Sequence, residues 1–246
     1  MSYRLVPWLV GAALLLGGVP PVPAQSIPEE SDDLADRLET LEAKNLELAN
    51  RLNLLTERLD ALVGPGPGDR LYTLPVEGSA IRGDPEAPIT LVEFGDYQSY
   101  YSARAHHVVA RLLEEYPQSL RFVYKHLPLA KLHPEAADAA LAALAADKQA
   151  KPWEMHDLLF QNSRRLEPVL YLLLAQRLEL ELPQFETDRR SLWAQERLAQ
   201  DEKLAARVGV GAVPAFFLNG RLMANWRYDF LAAQIEKLLA EGSEKK

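Results

Sequence analysis

The sequence predicts an α/β domain preceded by an N-terminal α-helical coiled coil. Three patterns carry that expectation. Residues 89–125 read as strand, helix, strand, a βαβ unit with two parallel strands. Leucines between Leu34 and Leu62 recur at alternating steps of four and three, which is a heptad seam. Between the two lies Gly64-Pro65-Gly66-Pro67-Gly68-Asp69, and alternating Gly and Pro cannot continue a helix.

Composition narrows the function classes. The chain has 246 residues, of which 48% are apolar and 25% charged, an ordinary balance for a folded domain plus an appendage. A net charge of −8 without a basic cluster argues against nucleic acid, whose phosphates need Lys and Arg gathered on one face. Cysteine is absent. That excludes a disulfide, a thiolate metal site and a thiol nucleophile, and with them dithiol exchange.

In chain order, residues 1–24 read as a secretory signal. Arg4 supplies the positive start, Leu14-Leu15-Leu16 sit in a short apolar run, and Val22-Pro23-Ala24 offers small residues for cleavage after Ala24. The apolar run is shorter than the roughly 20 residues that span a bilayer, so no stable membrane insertion is expected after cleavage. The expected compartment is the periplasm or the exterior. Residues 25–33 form a polar stretch.

The coiled-coil helix occupies residues 34–63. Its seam comprises Leu38, Leu41, Asn45, Leu48, Leu52, Leu55 and Leu59, and a straight helix of that length is a rod of roughly 40 Å. Asn45 is the single polar residue at an a position, which favours a parallel, in-register dimer. Leucine at both a and d leaves a trimer open. Residues 64–70 are the linker.

The globular domain is placed at residues 71–240, with a first strand expected within 71–76. Residues 89–94 form a buried strand, 100–116 a helix with Val108, Val109, Leu112 and Leu113 on one face, and 120–125 a second strand. Helices follow at 134–146, 152–164, 167–178 and 183–208, several with proline at the first turn. Asn219-Gly220 is a hairpin turn after residues 215–218, and a final amphipathic helix covers 229–239. Residues 241–246 are a charged tail.

Five separated motifs resemble one family. They are Val92-Glu93-Phe94 with Asp96-Tyr97-Gln98; Tyr124-Lys125-His126-Leu127-Pro128-Leu129; His133-Pro134-Glu135-Ala136; Trp153 through Phe160; and Val213 through Arg221. Together they resemble the DsbA-like thiol–disulfide oxidoreductases of the thioredoxin superfamily, over residues 72–240. The resemblance implies a thioredoxin-like fold with a helical insert at about 134–208. In that family the first motif ends C-x-x-C; here Ser99 and Ser102 stand at both cysteine positions.

What the resemblance implies for the site follows residue by residue. No catalytic residue is expected: Ser99 and Ser102 are degenerate positions, and Ser99 is read as a helix N-cap worth about 1 kcal/mol. Glu93 and Lys125 match an acidic and a basic position beneath the active site and are expected to form a buried charged pair. Val213-Pro214 matches a loop with a cis proline whose backbone pairs with extended peptide, and Tyr100 and Tyr101 add apolar surface beside it.

The function expected is an exported, redox-inactive peptide- or protein-binding module, dimerised by its coiled coil and serving an extended peptide or envelope protein. Two alternatives stand beside it: a structural coiled coil with a passive head, and a hydrolase using Ser102 with His106, one helical turn apart. No cofactor and no metal are expected, since the five histidines show no H-x-x-x-H spacing.

Overall fold

A computed structural model of the chain describes residues 70–243, together with Lys44, Leu48, Arg51 and Leu55. Those four are helical, and Leu48 and Leu55, seven residues apart, are exposed. The rest of the coiled-coil expectation, the signal and the linker lie outside the described residues. Among the described residues no helix is long and apolar enough to cross a membrane.

The head is built on a five-stranded sheet of order β1-β3-β2-β4-β5. The strands are β1 (Ile81–Gly83), β2 (Ile89–Gly95), β3 (Leu120–His126), β4 (Ala215–Leu218) and β5 (Arg221–Leu222). β2 and β3 are parallel, joined by α1 (Tyr100–Glu115); every other pairing is antiparallel. The expected first strand at 71–76 is not formed. Leu71 makes one isolated bridge to Arg221 and Tyr72 donates to the Gly220 carbonyl, while Ile81–Gly83 takes the edge of β3.

The two central strands are buried on both faces, and their alternation sorts two cores. Ile89, Leu91, Phe122, Tyr124, Phe216 and Leu218 face one core with α1 and the C-terminal helix α7 (Tyr228–Ser243). Val92, Phe94, Val123 and Phe217 face the other, against Leu204, Ala205 and Val208. The Asn219-Gly220 turn carries φ of 46° and 81°, the left-handed pair that a tight hairpin requires.

Between β3 and β4 lie five helices: α2 (Ala136–Asp147), α3 (Pro152–Gln161), α4 (Pro168–Arg177), α5 (Leu182–Arg189) and α6 (Leu192–Arg207). In α2, eight of twelve residues are buried, seven of them alanine, so its neighbours approach closely on several sides. The single helix expected over 183–208 is two. Ser191 breaks it: its extended backbone and its Oγ, which accepts from Ala194 N at 3.1 Å, start a fresh N-cap.

Candidate functional site

The site stands where β2 ends and α1 begins. Ser99 is the N-cap of α1, with extended backbone (φ −73°, ψ 125°), and its Oγ accepts from Ser102 N at 3.3 Å. Ser102 is fully buried, and its Oγ accepts from Asp96 N at 3.4 Å. Ser99 Oγ thus caps a first-turn N–H of the helix, and Ser102 Oγ takes up a backbone donor of the turn that precedes it.

Asp96 ties this turn to the exit of β3. Its buried carboxylate accepts from Gln98 N at 2.7 Å and Leu129 N at 2.9 Å, and meets His133 Nδ1 at 2.7 Å. Gln98 Oε1 in turn accepts from Glu135 N at 2.9 Å. The Asp96-Tyr97-Gln98 and His133-Pro134-Glu135 motifs are therefore two halves of one hydrogen-bonded clasp.

Glu93 and Lys125 are not a pair. Parallel register sets Glu93 beside Tyr124 and Phe94 beside Lys125, so the two charges project from opposite faces of the sheet. Lys125 Nζ instead donates to Ser79 Oγ at 2.8 Å and lies 3.4 Å from Asp201 Oδ1. Burial pulls the Lys125 ammonium down and Asp201 opposes that shift. Glu93 is buried with neither oxygen hydrogen-bonded, and burial pushes its carboxyl well above the usual range. Burial without a partner favours its neutral, protonated form.

Aromatic rings close the floor around it. Tyr97 packs on Tyr124 and Phe160 and its hydroxyl meets His156 Nδ1 at 3.0 Å. Gly95 is required here, because a Cβ would fall 2.5 Å from the Tyr124 ring. His126 is buried and held down at about 4, while its backbone N–H donates to Asp201 Oδ2 at 3.0 Å. A cavity of about 40 Å³ lies among Tyr97, Tyr124, His126, His156 and Asp201, room for a water.

Ser102 and His106 are not assembled as nucleophile and base. No hydrogen bond joins them among the described residues; His106 Nε2 lies 3.6 Å from Asp157 Oδ1. The structure also gathers what histidine spacing did not show: His106, His156 and Asp157 each offer a ligand atom within 4.8 Å of the others. Arg82 already holds both oxygens of Asp157, at 2.6 and 2.9 Å, so the carboxylate is neutralised by a guanidinium rather than open to a metal. The group comes from segments far apart in the chain, which no local motif signals.

Tyr100, Tyr101, Val213 and Pro214, the residues named for binding, stand at this end of the sheet. Tyr100 and Tyr101 are 54% and 57% exposed at the first turn of α1, edge to face with each other. Val213-Pro214 is a cis peptide bond. It immediately precedes β4, whose Ala215 pairs with Phe94, so it lies at the end of the sheet from which Ser99 emerges. Val213 is half-buried, and neither its N–H nor its carbonyl has a hydrogen-bond partner among the described residues.

A sequence model described as thioredoxin matches residues 76–237. A protein named Na(+)/H(+) antiporter NhaA 3 from Salinispora tropica is 41% identical over 169 residues, which is 67% of this chain and 25% of that one. The chain thus spans about a quarter of the length of the curated relatives it matches. A thioredoxin-like oxidoreductase from Silicibacter pomeroyi superposes with a TM-score of 0.61 at 28% identity, covering 67% of this chain and 94% of its own. The α-DsbA1 of Wolbachia pipientis gives a TM-score of 0.63 at 20% identity, covering 70% and 96%. The chain belongs to the thioredoxin family, with serine, Ser99 and Ser102, at the two positions where the DsbA-like motif it resembles carries cysteine.

Proposed function

We propose that the protein is an exported, redox-inactive binding module that holds extended peptide segments against the Val213 backbone and the Tyr100–Tyr101 surface. The observation that supports this most is the unpaired Val213 backbone at the sheet end that carries two exposed tyrosines. A free N–H and carbonyl beside β4 suit strand addition, and flanking aromatic rings suit apolar side chains. None of this requires sulfur. The redox step is lost because a serine hydroxyl neither ionises near neutral pH nor forms a disulfide.

Replacing both rings, Tyr100→Ala with Tyr101→Ala, is expected to weaken binding of a fluorescent, unfolded model peptide about ten-fold, since the lost aromatic contact is worth roughly 1–2 kcal/mol. Equal affinity in the double variant, measured by anisotropy on folded protein, would sink the reading. The coiled coil is proposed to join two heads in parallel through residues 34–62. Deleting those residues is expected to halve the mass in light scattering and to lower apparent affinity for a bivalent client while leaving single-peptide affinity unchanged.

A further inference from the structure

The charge of the surface beside Tyr100 points to the chemistry of the bound segment. A groove of about 240 Å³ runs between α1 and the end of α3, walled by Tyr100, Arg104, His106, His107, Phe160 and Arg164. No carboxylate lines it. The carboxylate facing His106, Asp157, is already taken by Arg82. Arg104 lies 5.9 Å from the centre of the Tyr100 ring, and neither Arg104 nor Arg164 is in an ion pair among the described residues. Gln161 and Ser163 add neutral hydrogen-bonding groups to the same wall.

This is a local reversal of sign in a chain whose net charge is −8. Guanidinium groups match carboxylates with two parallel hydrogen bonds, and they do so best where an aromatic wall limits solvent. Phe160 is buried at the groove floor and Tyr100 stands at its rim, so a carboxylate entering it is partly desolvated against two cations. A basic segment would meet like charge at the same place.

We propose that this groove selects acidic peptides, seating an Asp or Glu side chain at Arg104 and Arg164 while adjoining residues extend past Tyr100. The assignment rests on the peptide-binding reading above and names its substrate class. It makes affinity a function of salt and of peptide charge, because both guanidinium groups are reached from solvent.

The test uses the full chain and three labelled peptides of equal length that share their apolar residues and differ only in carrying acidic, neutral or basic side chains. Anisotropy is expected to rank acidic above neutral above basic, with at least about ten-fold between the extremes at low salt, shrinking severalfold at about 500 mM salt. Arg104→Gln with Arg164→Gln is expected to erase the ranking, with the acidic peptide losing the most affinity. Arg177→Gln, which removes a single charge at an exposed position of α4, is expected to leave the ranking unchanged. Equal binding of all three peptides would overturn the acidic preference and leave peptide binding standing. No binding of any peptide would overturn both. Displacement of the acidic peptide by inorganic phosphate at matched ionic strength, with equal effectiveness, would reduce the groove to a simple anion site and overturn the proposal.

Discussion

Restoring sulfur with Ser99→Cys and Ser102→Cys is expected to convert the protein from no dithiol exchange to measurable exchange. The two positions span the first turn of α1, with Ser99 as the cap and Ser102 N bonded to it. A thiol at that cap meets the positive end of the helix and free N–H groups, both of which favour the thiolate. Ser99 retains 4% exposure and Ser102 none. The thiol introduced at the cap would therefore attack, and the buried one a turn later would resolve the mixed disulfide. With oxidised glutathione supplied, two thiols lose two electrons and two protons to it and close one disulfide. Mass spectrometry reads that closure, and turbidity from a reduced disulfide substrate reads turnover. A folded double variant whose thiols stay free under oxidant would mean that the first turn no longer has the geometry for exchange.

The second large effect concerns Glu93, whose replacement by Gln is expected to stabilise the protein increasingly as pH rises. Its folded-state carboxyl titrates well above the unfolded one, so above about pH 4.5 the folded chain holds a proton the unfolded chain has released. Stability contributed by the neutral acid is present at low pH and is lost as pH climbs toward the folded value. The slope is about 1.4 kcal/mol per pH unit. Urea denaturation of wild type and Glu93→Gln at rising pH from about 5 should therefore show a gap that widens until the folded carboxyl itself ionises. His126, held down at about 4, acts in the opposite sense below about pH 6.5, but it is common to both proteins and cancels in the difference. A gap that stayed constant across this range would show that Glu93 ionises like an exposed carboxyl.

Much of the head is legible in the sequence because its central elements carry strong periodic signals. β2 and β3 are rich in β-branched and aromatic residues, α1 places its apolar residues on one face, and Asn219-Gly220 can hardly be anything but a turn. β1 is not legible, because three residues, Ile81-Arg82-Gly83, have too little pattern to outweigh the longer 71–76 stretch; pairing with β3 decides it. Sheet parity is equally invisible. Whether Glu93 meets Lys125 depends on an in-register parallel pairing that puts them on alternate faces, and sequence proximity to a shared motif says nothing of faces. The Arg82–Asp157–His106 cluster and the Arg104–Arg164 groove arise where α1, α3 and β1 converge, so only tertiary packing reveals them.

The serine hydroxyls at the start of α1 have a consequence beyond lost chemistry. Each fills a hydrogen-bonding post that belongs to the scaffold, Ser99 Oγ accepting from Ser102 N at 3.3 Å and Ser102 Oγ from Asp96 N at 3.4 Å. With no cysteine in the chain, the turn can neither form nor break a disulfide. Under the proposed binding role, the head's grip on a client would not rise and fall with thiol–disulfide exchange among neighbouring proteins.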